Sequence, residues 1–435
     1  MYKHGRTVSS SPLFRRIIPQ SIRYFSNPHF YSNKQLELYA ARKANRLTLR
    51  QLVFFGRSMD EDRLIKSANY VRTELPVRIA HRIRDMQGLP YVVVNEEHVL
   101  QVYNLYWTAF DKLRNYPRIH NMQDNESFCE FLREILNEHA AAIPTLSLGL
   151  SICSPHLESD ELDSFMRRML ISRISRRVLA EHHLALTEDL ANKETSVDSQ
   201  DANVGIIFTK LNVKRCFDKF IRLLSSDGTL TDRLRRDSLL QGTDKLPEII
   251  VDGDLNTSFS YIREHLEYVI LELLLNALRA TAIQMKESSF SIPGVIRATI
   301  SSDEDDVYIR ISDQGGGLML TETQTPADLY SFSHHRNTTR MRDDRLVALQ
   351  HFSQRKGGLW GKVQERIATP GSEGQVNEDS KDEDKPQPMG MGLPLSNIHV
   401  TYFGGTLELL SMDGWGTDVY VRLPRLGTNL EGIEV

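Results

Sequence analysis

The sequence predicts an α+β chain: a helical bundle followed by a mixed, antiparallel-rich sheet with helices packed on it. Three observations carry that prediction. Between residues 36 and 190, apolar residues recur at spacings of three and four, with few stretches of strict alternation. Beyond residue 204, β-branched runs pair around short acidic or glycine turns and are mixed with helical stretches. The chain has 435 residues, 40% apolar and 25% charged, enough for two packed cores.

The helical elements come first. Residues 47–56 open one segment, which Gly56 can end. Residues 64–86 make a long helix if Pro76 is accommodated as a kink. Residues 99–113 place Val102, Leu105, Tyr106, Ala109, Phe110 and Leu113 on one stripe. Residues 128–150 and 162–186 follow, and long amphipathic helices joined by short loops form a bundle, assigned to residues 36–190. His182 and His183, inside it, read as packing residues, with a phospho-accepting histidine as the alternative.

The second domain is assigned to residues 204–426. Residues 204–211 and 246–251 are β-rich, and a long helix covers 258–286. Residues 295–300 and 307–311 flank the acidic turn Asp303-Glu304-Asp305-Asp306. Residues 394–403 read as a helix, and 406–411 with 417–423 as a closing hairpin around Asp413-Gly414-Trp415-Gly416. Between 333 and 388 a basic stretch gives way to an acidic one rich in Gly, Ser and Pro; it reads as a mobile lid with a solvated insertion.

Composition narrows the function classes. The longest stretch without Asp, Glu, Lys or Arg, residues 139–157, is interrupted by two histidines, two prolines and four hydroxyl residues, which argues against a membrane-spanning helix. A net charge of −4 gives no reason to expect nucleic acid as the main partner. Cys129, Cys153 and Cys216 are odd in number and far apart, pointing to a reducing compartment and no zinc framework. No Asp or Glu precedes Glu37, whereas Lys3, Arg6, Arg15, Arg16 and Arg23 stand among serines. That is the composition of a mitochondrial transit peptide, residues 1–25, with Arg23-Tyr24-Phe25-Ser26 as the cleavage site. Its removal takes the net charge from −4 to −9.

Three motifs carry chemistry. In Glu272-Leu-Leu-Leu-Asn276-Ala-Leu-Arg279, the Glu and Asn are four apart and Arg279 three further, so all share a helical face. An amide oxygen can ligate Mg²⁺, and a carboxylate can take a proton. Val269, Leu273, Ala277 and Ala280 read as the opposite stripe, packed on the sheet. In Asp313-Gln-Gly315-Gly316-Gly317, directly after a strand, the glycines allow close backbone approach, and the Asp can accept from an exocyclic amine such as that of adenine. In Gly390-Met391-Gly392-Leu393-Pro394, glycines precede a proline suited to the first helical turn, which exposes N–H groups to a phosphate. Walker and Rossmann spacings are both missing.

Taken in order, these motifs resemble the ATPase fold shared by gyrase, histidine kinases and related chaperones; Thr417 fits that fold's fourth element, near the adenine-binding Asp. The likeness extends over almost the whole mature chain. Glu74-Leu-Pro-Val-Arg-Ile-Ala-His, Ser172-Arg-Ile-Ser-Arg-Arg-Val-Leu-Ala-Glu-His-His and the Glu272 motif resemble the mitochondrial 2-oxoacid dehydrogenase kinases. That resemblance implies a four-helix bundle on a histidine-kinase-like ATP domain, and phosphorylation of a serine in the matrix. Asn276 would hold Mg²⁺ on the ATP phosphates, Asp313 the adenine amine, and Glu272 the serine proton. Gly315, Gly317, Gly390, Met391, Gly392 and Leu393 would shape the adenine and phosphate walls. Arg279 would reach phosphate or the lid, and Ser333 and His334 fall where the lid approaches phosphate. The implied partners are the decarboxylase component of a 2-oxoacid dehydrogenase complex as substrate, its lipoyl-bearing core as docking site, and a second copy in a homodimer.

The chain departs from the family pattern in places. Leu275 stands where Lys is usual, and the chain runs only briefly past Leu423, without the Trp-containing tail of the pyruvate members. Tyr268 matches the branched-chain member, where the pyruvate members carry His. The pyruvate complex is taken as the substrate and the branched-chain complex as the alternative. From the acid-free start, a mature N-terminus near Ser26 is expected. Sequencing the N-terminus of the protein recovered from mitochondria checks this, and an intact Met1 contradicts it.

Overall fold

The computed structural model describes residues 33–153, 156–192, 203–224, 246–287, 294–318, 326–333 and 392–433. The transit segment, Gly390, Met391, His334 and almost all of the 333–388 insertion therefore lie outside the described residues.

Short helices α1 (Lys34–Ala40) and α2 (Leu49–Gly56) lead into α3 (Glu61–Gln87). Thr48 and Gln51 close a capping box at the start of α2. The side chain of Asp60 caps α3 and satisfies one of its open N–H groups. The helix runs through Pro76, at the cost of one backbone bond. Then follow α4 (Tyr91–Val94), α5 (Glu97–Arg114), α6 (Met122–Glu138), a 3₁₀ turn (His139–Ala141), α7 (Ala142–Ile152) and α8 (Ser159–Asn192). The expected helix over 128–150 is thus two helices. Pro144 explains the break: its ring would collide with the carbonyl of Ala140 in a continuous helix, whereas it is tolerated in the first turn of α7. Helix α3 packs against α1, α5, α6 and α8. The α5 stripe of Val102, Tyr106, Ala109, Phe110 and Leu113 is buried as expected.

The second half opens with the hairpin β1 (Asn203–Val204) and β2 (Ile207–Asn212), then α9 (Val213–Leu224), β3 (Glu248–Gly253), β4 (Ser258–Ile262) and α10 (Arg263–Glu287). The expected helix over 258–286 therefore begins with a strand. Phe259 and Tyr261 alternate into the core, and β4 pairs antiparallel with β2. The remaining elements are β5 (Val295–Ser302), β6 (Asp306–Ser312), a 3₁₀ turn (Pro326–Tyr330), α11 (Gly392–Thr401), β7 (Thr406–Met412) and β8 (Gly416–Pro424).

The main sheet has the order β3-β5-β6-β8-β7, with β3 parallel to β5 and the other pairs antiparallel, so it is mixed. One face carries the buried row Ile296, Ala298, Ile300, Val307, Ile309, Ile311, Val419, Val421 and Leu423. Helices α10 and α11 cover this sheet. Burying a side chain the size of Leu contributes roughly 1.5–3 kcal/mol. The leucines Leu271, Leu273, Leu274 and Leu278 of α10 therefore hold that helix in place far more firmly than any surface pair could.

The two halves touch directly. Asp163 of α8 accepts from Ser331 Oγ at 2.6 Å and from Phe332 N at 2.6 Å. The chain's last described stretch returns to the bundle, where Leu430 bridges Thr48. No described helix is long and apolar enough to cross a membrane. The three cysteines are free and buried. To test the division of α6 from α7, Pro144→Ala is expected to restore a backbone bond to Ala140 and let the helix run on through residues 139–141. Slower amide hydrogen exchange across residues 139–145 checks this; unchanged exchange contradicts it.

Candidate nucleotide and phosphoryl-transfer site

Helix α10 supplies one wall of the site. Glu272 and Arg279 are buried, and Asn276 is half-buried at the pocket surface. The start of α11 lies directly on the Glu272 carboxyl: a Cβ placed on Gly392 would stand 2.3 Å from Glu272 Oε2. Only glycine allows that approach, which gives Gly392 its reason. Burial pushes the Glu272 carboxyl up to about 7, against the opposing pull of Arg279. Burial brings the Arg279 guanidinium down to about 10, with Glu272 opposing. The site thus holds a carboxyl that exchanges its proton near neutral pH.

Strand β6 ends at Ser312, and Asp313, directly after it, faces the same pocket. Its Oδ1 accepts from the N–H of Gly315 at 2.9 Å and of Thr417 at 3.2 Å, and its own N–H donates to the Thr417 carbonyl at 3.0 Å. This ties the glycine turn to the start of β8. Burial raises the Asp313 carboxyl to about 6, and the two N–H bonds oppose that rise. Gly315 presses on α10, where an added Cβ would come within 2.4 Å of Ala280 Cβ. Gly317 sits at φ +81°, and a Cβ there would meet the Met412 carbonyl oxygen at 2.6 Å. Asn276, Arg279, Asp313, Gly315, Gly317, Leu393 and Thr417 therefore line one pocket.

Residues 262–427 match the model of the histidine kinase-, DNA gyrase B- and HSP90-like ATPases. Residues 46–208 match the model described as mitochondrial branched-chain alpha-ketoacid dehydrogenase kinase. Between them the two models span most of the chain, which is similar over that length to the mitochondrial 2-oxoacid dehydrogenase kinases. Among its relatives is pyruvate dehydrogenase (acetyl-transferring) kinase 2, mitochondrial, of Saccharomyces cerevisiae, 26% identical over 94% of this chain and 88% of that protein. The mitochondrial pyruvate dehydrogenase (acetyl-transferring) kinase of Arabidopsis thaliana is 28% identical over 90% of this chain and 94% of its own. Isozyme 4 from Rattus norvegicus is 26% identical over 92% and 85%. The chain is an ATP-dependent kinase, and the relatives are mitochondrial by name.

Within this kinase, other expected residues lie elsewhere. Ser333 does not line the pocket: its Oγ is 3.0 Å from Ser159 Oγ at the start of α8, where the two domains meet. His183 is enclosed in the bundle, with Nδ1 3.1 Å from Ser67 Oγ and Nε2 3.0 Å from Asn125 Oδ1. Burial takes both His182 and His183 down to about 4. Neither is accessible to a phosphoryl group, so they are packing residues.

Of the four residues read as the sheet-packing stripe of α10, Leu273, Ala277 and Ala280 also wall the pocket, together with Leu318, Leu329, Leu409 and Val419. Sequence reasoning missed these walls, because an apolar residue facing an adenine-sized slot carries the same pattern as one facing a core. The spacing was nevertheless available: Ala280 lies four beyond Asn276 and so shares its side. Among the described residues no three His, Cys, Asp or Glu side chains gather into a metal cluster. The Asn276 amide at the pocket surface offers one oxygen, which fits a hard cation that keeps water and phosphate as its other ligands.

The buried carboxyl makes a prediction about stability. Glu272 titrates near 7 when folded and near its ordinary 4.5 when unfolded. The folded value is the higher, so folding favours the protonated form; that stability is full below the ordinary value and is lost as pH rises through about 7. Glu272→Gln, neutral throughout, should therefore be more stable than wild type at pH ~8, by an amount on the order of 3 kcal/mol at most. The gap should close near the ordinary carboxyl value. Melting curves at both pH values check this, and equal midpoints at the higher pH contradict it.

Proposed function

We propose that this kinase transfers the γ-phosphoryl group of ATP to a serine on the decarboxylase component of the pyruvate dehydrogenase complex in the mitochondrial matrix, and so inactivates it. One observation carries the chemistry: a buried carboxyl poised near neutrality, one helical turn before Asn276 and beside the Asp313 pocket. The pyruvate complex is favoured because the relatives described above are pyruvate dehydrogenase kinases. Tyr268 and the description of the model matching residues 46–208 favour a second reading, the branched-chain complex.

Asp313 accepts the adenine amine while its Oδ1 stays engaged by Gly315 and Thr417. Leu273, Leu393 and Val419 exclude water from the ring. Asn276 would hold Mg²⁺ through its side-chain oxygen, and the ion would supply neutralisation of phosphate charge. Gly392 and Leu393 line the phosphate path, Gly390 and Met391 are assigned to it by the resemblance alone, and Arg279 balances charge behind Glu272. The Glu272 carboxylate takes the serine proton as the hydroxyl attacks, a step that typically contributes about 10²–10⁴-fold. Positioning and charge neutralisation supply the rest.

Residues 204–426 form the nucleotide domain in this reading, and residues 36–190 the docking bundle. Leu38, Phe54 and Phe55 of the first two helices are exposed and suit an apolar lipoyl-bearing partner. The outward side of the main sheet exposes Tyr308, Leu410, Met412 and Tyr420, a surface for a second copy in a homodimer.

The experiment is incubation of the mature chain with labelled ATP and each purified dehydrogenase complex in turn. Acid-stable phosphoserine on the pyruvate decarboxylase component is expected; label confined to the branched-chain component moves the assignment there, and acid-labile label on this chain contradicts it. Glu272→Gln should keep ATP affinity within a few-fold and lower transfer by at least about 10²-fold. Asn276→Ala should abolish Mg·ATP binding with the fold intact, because its side chain faces the pocket rather than the core. Wild-type transfer by the first variant, or wild-type Mg·ATP affinity in the second, sinks the corresponding role.

A further inference from the structure

Helix α11 joins two sites. Its first residue, Gly392, lies against the Glu272 carboxyl, and Leu393 lines the nucleotide pocket. Its far end runs into Tyr402, whose N–H still donates to Ile398 O at 2.9 Å. The Tyr402 hydroxyl donates to Glu431 Oε2 at 2.5 Å. Ten residues at about 1.5 Å each separate the two ends by roughly 15 Å.

Glu431 lies within a charge cluster buried between the domains. Its carboxylate receives both terminal nitrogens of Arg78 from α3, Nη2 at 2.7 Å and Nη1 at 3.2 Å. Every N–H direction of this guanidinium is taken: Nε bonds Glu74 at 3.2 Å, Nη2 also reaches the Asn45 carbonyl at 2.6 Å, and Nη1 also reaches Ser175 Oγ on α8. Arg78, Glu74, Glu431 and Tyr402 are each at most 5% exposed. The backbone around Glu431 is laced to the same place. Its N–H donates to Leu47 O at 2.9 Å, its carbonyl accepts from Arg46 Nε at 2.8 Å, and Gly432 N donates to Tyr402 O at 2.8 Å. A short strap from the end of the chain thus pins the base of α11 to helices α3 and α8 of the bundle.

We propose that Arg78 and Glu431 are positioning residues for phosphoryl transfer: their ion pair fixes the far end of α11 and thereby seats Gly392 against the Glu272 carboxyl. This rests on the role given to Glu272 above. The geometry demands such a device. The Gly392 contact leaves no room for even one carbon, so a small slide of α11 along its axis opens or blocks it. The helix lies on α10, β7, β8 and α8 with Leu393, Ile398 and Val400 buried and His399 packed on His265 and Tyr268, contacts that resist separation more than sliding. A buried, fully bonded guanidinium on two carboxylates supplies the directional restraint that apolar packing lacks. The bundle, through α3 and α8, therefore helps to set the catalytic geometry in the other domain.

Two variants test this in the full-length mature chain. Glu431→Gln removes one charge and keeps the shape, leaving Glu74 to face Arg78. Tyr402→Phe keeps the ring and removes only the link from α11 to Glu431. Both are expected to bind ATP with a stoichiometry near one and within about three-fold of wild-type affinity, since the Asp313 pocket is built on the sheet. Both should lower kcat for transfer to the dehydrogenase by about 10-fold or more. Amide hydrogen exchange across residues 393–401 should speed up by about 10-fold, while residues 295–312 stay unchanged. A purely structural role would lower binding stoichiometry and quicken exchange in both regions alike, and that outcome overturns the proposal. So do wild-type kcat and wild-type exchange in both variants. If Glu431→Gln fails to fold, Tyr402→Phe decides alone. If wild-type chain phosphorylates neither complex, the function proposed above fails, whereas the exchange comparison still decides whether this cluster restrains α11.

Discussion

The structure depends on one helix facing two environments. Helix α10 must bury a leucine-rich side to be held on the sheet, yet bring Asn276 and Arg279 to the pocket with Glu272 buried one turn before them. Meeting both demands puts a carboxyl where water is scarce. Its charged form loses hydration, and Arg279 two turns away returns only part of that loss, so the proton affinity rises to about 7. A carboxyl in that range serves as a base at neutral pH without being either permanently charged or permanently neutral. The same desolvation that makes the group useful makes it a cost to folding, the usual bargain at an active site.

Around this helix each part of the pocket has a stated physical reason. Gly392 permits α11 to rest on Glu272; Gly315 permits the turn after β6 to rest on Ala280; Gly317 supplies a left-handed backbone beside Met412. Asp313 is held by two N–H groups, one from its own turn and one from β8, so its position is set by sheet register rather than by a flexible loop. Since α11 is also tied to the bundle at its other end, the nucleotide pocket is not a property of the second domain alone. The contacts of Asp163 with Ser331 and Phe332 supply a second tie between the domains, at the other side of the insertion.

Much of this was legible in the sequence. The α+β class, the long helices over 64–86 and 162–186, both hairpins of the main sheet and the polar and glycine residues of the pocket, though not its apolar walls, followed from period, turn chemistry and glycine spacing. The failures have physical causes. Residues 258–262 were read as helix because the helical run after them is strong, and the two-residue period of Phe259 and Tyr261 is short. Pro144 was passed over as a helix breaker. Ser333, which the resemblance puts where the lid approaches phosphate, hydrogen-bonds across the domain boundary to Ser159, a contact that no local pattern signals. Arg78 and Glu431 are 353 residues apart, and nothing in local pattern pairs a buried arginine with a carboxylate so distant. Such a contact is specified only by tertiary structure.

The Glu272 carboxyl exchanges its proton near neutrality because α11 and the sheet exclude water from it. The most direct measurement is an isotope-edited infrared titration of the carboxyl band in glutamate-labelled protein, with Glu272→Gln as the subtraction. The account predicts one protonated carboxyl band that disappears with a midpoint near 7 and is missing from the variant. A Glu272 carboxyl that titrates at its ordinary 4.5 would contradict it.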